Sequence, residues 1–176
     1  MQRAPLYPLN AVMNHGICIA GNGLPAQYEM DDKNLSDEIW SFFATGASLQ
    51  EMYINPHKLS AASWDCLARA IHWSRENVTV MPDVHWIGGN PNEDEVYGYA
   101  AWTPGKAVLS LRNPSGQEKT YTITTDSVFD LPPVFKGKAY SFYAVNKGNS
   151  PKLFCRGKSC SITLAPFETI VFDAIP

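Results

Sequence analysis

Apolar positions along the chain follow two periods, and the change between them falls near Asn77. The run "LNAVMNHGICIAG" (Leu9 to Gly21) is rich in small and branched residues and closes on "GNG", which predicts a buried strand. "NLSDEIWSFFATG" then predicts a helix: Ser36 can cap it, and Asp37 and Glu38 fall in a first turn where the helix dipole favours negative charge. Ile39, Trp40 and Phe43 mark its apolar side, and Gly46 can end it. "SLQEMYINP" is a second short strand, stopped by Asn55 and Pro56 because proline cannot donate to a sheet ladder. In "LSAASWDCLARAIHWSREN", Ser60 is a good N-cap and Leu59 with Trp64 can form a hydrophobic staple. Trp64, Leu67, Ala68 and Ile71 mark its apolar face. Strand, helix, strand, helix is the pattern of a parallel sheet with crossover helices.

After Asn77 the period falls to two. "VTVMPDVHW", "EVYGYAAW", "KAVLSLRN", "EKTYTITT", "KAYSFYAV", "CSITL" and "FETIVFDA" alternate in strand fashion, separated by "GGNPNED", "TPG", "NPSG", "LPPVFKG" and "NKGNSPK". Seven short strands with Gly and Pro turns predict an antiparallel sandwich. "WIGGNPNED" is then the loop where an α/β part passes into an all-β part, giving an α+β chain divided at 1–77 and 78–176.

The first part is physically incomplete by itself. Parallel strands are normally buried on both faces in larger sheets, so two such strands leave apolar faces and edges bare. Self-association, packing of the first part on the sandwich, and membership of a larger protein are three ways to cover them.

Composition narrows the classes. With 176 residues, 45% apolar content and a net charge of -3, the chain reads as globular. Its Lys and Arg residues are scattered and outnumbered by acids, which argues against a nucleic-acid surface. No apolar run approaches the roughly 20 residues that span a bilayer. "MQRAPLYPLN" carries no apolar stretch of the export type, and compartment stays open. Cys18 and Cys66 lie in apolar segments and read as small buried hydrophobes. Cys155 and Cys160 flank "RGKS" like two strands of a tight hairpin, where a disulfide would fit; no second Cys or His pair stands at zinc spacing, so neither metal nor cofactor is expected.

The order of these parts, with "AVMNHGICIAGNG", "GASLQEMYINPHKLSAASWDCLARAIHWSREN", "DVHWIGGNPNEDEVYGYAAWTPGKAVLSLRNPS" and "ITLAPFETIVFDA", resembles the C-terminal portion of α-galactosidase-like (melibiase-like) glycoside hydrolases. The likeness is greatest to large bacterial members in which a (β/α)8 barrel runs directly into a β-sandwich. It covers nearly the whole chain. The resemblance implies that residues 1–77 are the last two βα units of a barrel and 78–176 its terminal sandwich. It also implies a carbohydrate-related role, often in exported bacterial enzymes. The family's nucleophile and general acid/base come from earlier barrel strands without counterpart in this chain, so no residue here takes a catalytic role. The acid-containing motif at the end of the family's last strand is not recognisable in "MYINP".

Glycoside hydrolysis needs two carboxyl groups flanking the scissile bond. The local candidates are Glu51 on the second strand and Asp83 beside the junction. Glu51 faces either the barrel interior or the helices, and is either a substrate contact or a surface or structural carboxylate. Asp83 is expected to fix the junction loop through backbone amides. His15, in "MNHGI" near the end of the first strand, is either exposed to a sugar beside the permissive Gly16 or a buried histidine bonded to a carbonyl. His72 and His85 lie away from convergent acids, and "DVH" supplies too few ligands for a metal. Trp64 and Trp73 read as core or interdomain packing. Among Trp86, Tyr97, Tyr99 and Trp102, Trp86 in its Gly-rich loop is the candidate to stack on a sugar, and the others read as packing. "GGNP" lacks the context of a phosphate loop.

The resemblance, with the missing carboxylate pair, therefore implies a carbohydrate-related fragment that is not competent in hydrolysis alone and that meets a second copy or the remainder of a larger enzyme. A self-standing carbohydrate-binding module and an oligomerising interaction protein are its two rivals.

Overall fold

A computed structural model of the chain describes residues 7–19, 31–148, 151–155 and 159–176. The "GNG" turn after the first strand, and the linker at 156–158, lie outside the described residues.

Strand β1 spans Met13–Ile19 and pairs in parallel with β2, Leu49–Ile54. The strand starts later than the apolar run suggested, because Leu9–Ala11 form a turn of 3-10 helix. Helix α1, Asp32–Ala44, also departs from expectation. Its N-cap is Asp31, whose side chain accepts from Asn34 N at 2.7 Å. Ser36 lies inside the helix instead of capping it. The earlier start adds a turn that buries Leu35, and it moves Asp37 into the helix interior, where it is buried. At the other end Gly46 closes the helix with φ +68°, as its position suggested.

Helix α2, Ala61–Glu76, is capped by Ser60, whose Oγ accepts from Ser63 N at 3.0 Å. Its buried stripe is Ser63, Cys66, Leu67, Ala70 and Trp73, turned by about one residue from the expected face. Trp64 and Ala68 are exposed. Small side chains at 63, 66 and 70 let α2 approach α1 closely, and the bulky Trp64 is left at the margin.

Eight further strands follow. β3 (His85–Gly88), β4 (Tyr97–Thr103), β5 (Lys106–Arg112), β7 (Tyr140–Ala144), β8 (Pro151–Cys155) and β10 (Thr169–Ile175) form one antiparallel sheet in the order β3-β4-β5-β10-β7-β8. β6 (Lys119–Ile123) and β9 (Cys160–Leu164) form a second, two-stranded sheet. Residues 78–84 are turn and 3-10 helix, so only the end of "VTVMPDVHW" is strand. β8 falls partly where a turn was expected. Cys155 and Cys160 are bonded with Cα atoms 5.4 Å apart, but they do not end the two arms of a hairpin. β8 pairs with β7 and β9 with β6, so the bridge joins the two sheets.

Alternation in the central strands explains why they read as continuous apolar runs. Leu109 and Leu111 on β5, and Ile170, Phe172 and Ala174 on β10, enter a core shared with Ile123 and Leu164 of the small sheet. Val108 and Val171, on the opposite face of the same strands, join Ala101 of β4 in a second core with Trp40, Phe43, Leu67 and Trp73 of α1 and α2. The six-stranded sheet is thus apolar on both faces, and the helices cover the face that would otherwise be bare.

Charged groups finish the contact of α1 with this sheet. Asp37 Oδ1 accepts from Thr169 N at 3.2 Å, and the Lys33 and Lys147 ammonium groups lie 3.5 and 3.8 Å from its carboxylate. A buried carboxylate is tolerable when partnered in this way. Arg112 of β5 meets Glu38 of α1 at 3.4 Å. Among the described residues, no helix is long and apolar enough to cross a membrane.

Candidate functional site

The helices cover one face of the β1–β2 sheet and leave the other open. Asn14 Nδ2 donates to Thr45 Oγ1 at 3.3 Å, and Gly16 lies so close to the Phe42 ring that a Cβ there would collide with it. Asn14 and Gly16 therefore face α1, and His15 between them faces away. The same alternation sends Leu49, Glu51 and Tyr53 of β2 outward. Met13, Leu49 and Tyr53 are exposed on this side.

Parallel pairing places His15 opposite Glu51, and the ladder slips at Ile17 so that Cys18 lies opposite Tyr53. Ile17 adopts φ +51°, an uncommon conformation for a β-branched residue. Simple alternation would expose its side chain on the open face; the bulge turns it inward to 1% exposure in the helix-side core.

His15, Glu51 and Tyr53 converge. Tyr53 Oη donates to Glu51 Oε1 at 2.9 Å and lies 3.1 Å from His15 Nδ1. His15 Nδ1 is 3.5 Å from Glu51 Oε2, with both side chains half exposed. The bond to the Glu51 carboxylate pushes the Tyr53 phenol pKa above its ordinary value, because ionisation would bring two negative charges together. Tyr53 is absent from the residues picked out by sequence. Its signal was available in part, since residues 51 and 53 share one face of any strand, but the cross-strand pairing that adds His15 was not.

His15 is neither buried nor bonded to a carbonyl, and it stands third in β1, nearer the start than the end of the strand. Glu51 is likewise third in β2. Both are set back from the strand ends.

Trp86 belongs to β3 and pairs with Tyr99, outside the glycine-rich turn. Its ring stacks on Tyr97 with centroids 4.8 Å apart and meets Tyr99 edge-on at 5.4 Å. One face of the half-buried indole is therefore already occupied. Burial raises the pKa of both tyrosines, with Tyr99 pushed up to about 12.

Asp83 Oδ2 accepts from Trp102 N at 2.9 Å, the junction-fixing role its position suggested. Partial desolvation raises the Asp83 pKa, against the bond from Trp102 N and the neighbouring His85 ring. His85 sets its two ring nitrogens against Asp83 O at 3.1 Å and Val128 O at 2.9 Å. His72 is exposed on α2. Among the described residues, no group of three or more His, Cys, Asp or Glu side chains is placed to hold a metal ion. The bonds and ion pairs of Glu51 lead to His15 and Tyr53, and to no second carboxylate among the described residues. The cluster can accept hydrogen bonds and shuttle a proton; it is not the paired-carboxyl arrangement of glycoside hydrolysis.

No protein-family model and no curated protein matches the sequence. Solved structures do resemble the fold. The α-galactosidase I of Mortierella vinacea superposes over 82% of this chain and 36% of its own with a TM-score of 0.59 at 12% identity. An α-galactosidase from Saccharomyces cerevisiae, solved with raffinose, superposes over 90% of this chain and 45% of its own with a TM-score of 0.59 at 9% identity. An α-amylase from Geobacillus thermoleovorans, complexed with acarbose, gives 83%, 34%, a TM-score of 0.56 and 9% identity. The chain thus has the fold of a portion of α-galactosidase-type proteins and spans less than half the length of each of these three. At such low identity the likeness is one of fold.

Proposed function

We propose that the chain is the C-terminal portion of a glycoside hydrolase, in which β1–α1–β2–α2 end a (β/α)8 barrel and the strands after Asn77 form an accessory β-sandwich. The observation that carries this reading is the open β1–β2 face. Helices cover one side, while the other presents Met13, Leu49 and Tyr53 to solvent and both strand edges lack a partner among the described residues. A two-stranded parallel sheet is not a stable end point for a fold, and further parallel strands would cover these edges. The fold likeness to proteins two to three times as long supports the same reading.

In this role the chain lacks a catalytic carboxylate pair and is inactive alone. The sandwich braces the barrel through the shared helix-side core, and His15, Glu51 and Trp86 contribute to a carbohydrate-binding surface. His15 and Glu51 stand early in their strands, set back from the C-terminal ends where barrel chemistry takes place, so their part is to help shape the pocket and not to touch the reacting bond. The partner is the remainder of a larger enzyme or, for the chain alone, a second copy along the exposed edges of the β1–β2 sheet.

The test is the solution mass of the purified chain by light scattering, with nitrophenyl glycosides assayed on the same peak. An inactive oligomer supports an open sheet covered by another copy. An inactive monomer supports the remainder of the enzyme as the missing cover. A stable, active monomer overturns the proposal, and Glu51 and Asp83 would then be the first residues to replace.

A further inference from the structure

Tyr53 has one hydroxyl hydrogen and two polar neighbours, Glu51 Oε1 at 2.9 Å and His15 Nδ1 at 3.1 Å. An ionised carboxylate can only accept, so that hydrogen goes to Glu51. The contact with His15 then requires Nδ1–H to donate to the phenol oxygen. Glu51 Oε2, 3.5 Å from the same nitrogen, also favours a hydrogen there. A neutral imidazole protonated at Nδ1 leaves Nε2 as a bare acceptor. The His15 and Tyr53 rings are nearly parallel, at 13° with centroids 6.1 Å apart, so the orientation of the imidazole is held as well as its tautomer.

We infer that Tyr53 is a positioning residue: it holds His15 in the Nδ1–H form so that Nε2, on the open side of the β1–β2 sheet, accepts a hydrogen bond from a neutral, hydroxyl-rich ligand. The identity of that ligand rests on the carbohydrate reading above, whereas the tautomer does not depend on it. Glu51 beside the site disfavours anions, and among the remaining donors the uncharged alcohol is the one that the carbohydrate reading supplies for Nε2.

The test is long-range proton–nitrogen NMR of the imidazoles in the full chain near pH 8, above the ordinary histidine pKa of about 6.5. His15→Gln assigns the signal. The native chain should show His15 protonated at Nδ1 and unprotonated at Nε2. Tyr53→Phe removes the nearer acceptor and leaves only Glu51 Oε2 at 3.5 Å, so the Nδ1–H form should fall in population, whereas Glu51→Ala also frees the phenol hydrogen to donate to Nδ1 and should move the proton to Nε2. Galactose should shift the native Nε2 signal saturably, with affinity about tenfold weaker in Tyr53→Phe, the loss of one well-placed hydrogen bond. A native His15 already protonated at Nε2, or a tautomer unmoved by both variants, overturns the positioning role. Absence of a galactose response with the tautomer as expected overturns the ligand. If the chain instead proves an active monomer while His15 behaves as described, the fragment reading fails and the role of Tyr53 stands.

Discussion

Trp73 Nε1 donates a hydrogen bond to Asp173 Oδ1 at 2.8 Å, joining α2 to the last strand of the chain across a separation of 100 residues. Asp173 Oδ2 is held on its other side by Lys106 Nζ at 2.7 Å. The Trp73 ring packs on Trp40 of α1, with centroids 5.8 Å apart. One indole therefore takes part in both the apolar and the polar contact of the helices with the six-stranded sheet.

Trp73→Phe keeps most of the packing and removes the donor, so it should cost about 1–2 kcal/mol. Trp73→Ala also opens a cavity between the helices and the sheet and should cost about 3–5 kcal/mol. The midpoint of urea unfolding measures both. Equal effects would mean that the indole N–H contributes most of the contact.

Gly98 is the second residue of β4, in a strand that normally gains from a side chain. A Cβ there would run into the carbonyl of Ser110 on β5. Gly98→Ala should destabilise the chain by about 2–3 kcal/mol or more, since the obstacle is backbone that can move only with its strand. Gly105→Ala, in the β4–β5 turn with nothing within 4 Å of the added carbon, should change the thermal midpoint little and serves as its control.

Asp83 separates a hydrogen-bonding role from a charge role. Asp83→Asn keeps an acceptor for Trp102 N and removes a charge whose formation the site disfavours; it should be neutral or slightly stabilising. Asp83→Ala removes the acceptor and should cost about 1 kcal/mol. Denaturant unfolding of the two variants at neutral pH distinguishes the roles. A large loss in Asp83→Asn would show that the carboxylate charge itself is needed.

Tyr99 predicts the alkaline limit. Its pKa is raised to about 12 by burial, against about 10 in the unfolded chain. The proton binds more tightly to the folded state, so the stabilisation is complete below about pH 10 and is lost as pH rises towards about 12, by roughly 2–3 kcal/mol for this group. Tyr97, Tyr121 and Tyr140 are shifted in the same direction and add to the slope. Tyr99→Phe should flatten stability against pH in that window and leave the acid side unchanged.

Much of the local structure was legible. Ser60 caps α2 because a hydroxyl before a helical run satisfies free backbone amides whatever the rest of the chain does. Gly46 ends α1 because positive φ favours glycine, and the change of period at Asn77 coincides with the C-cap of α2. Ser36 was the expected cap of α1, but Asp31 caps it, and the added turn buries Leu35 in a core that local sequence does not show.

Sequence alone thus determined most of the strands and helices, which positions are apolar, and that two parallel strands by themselves would leave edges bare. These follow from interactions spanning a few residues. The tertiary structure decided the pairing: β8 with β7, β9 with β6, and His15 opposite Glu51. It also decided the bulge that buries Ile17 and the packing of two helices on the second face of the large sheet. Register depends on which distant segment supplies the partner, and a slip of one residue sends every side chain to the opposite face. The convergence of His15, Glu51 and Tyr53 is therefore a property of the paired strands and not of either strand alone.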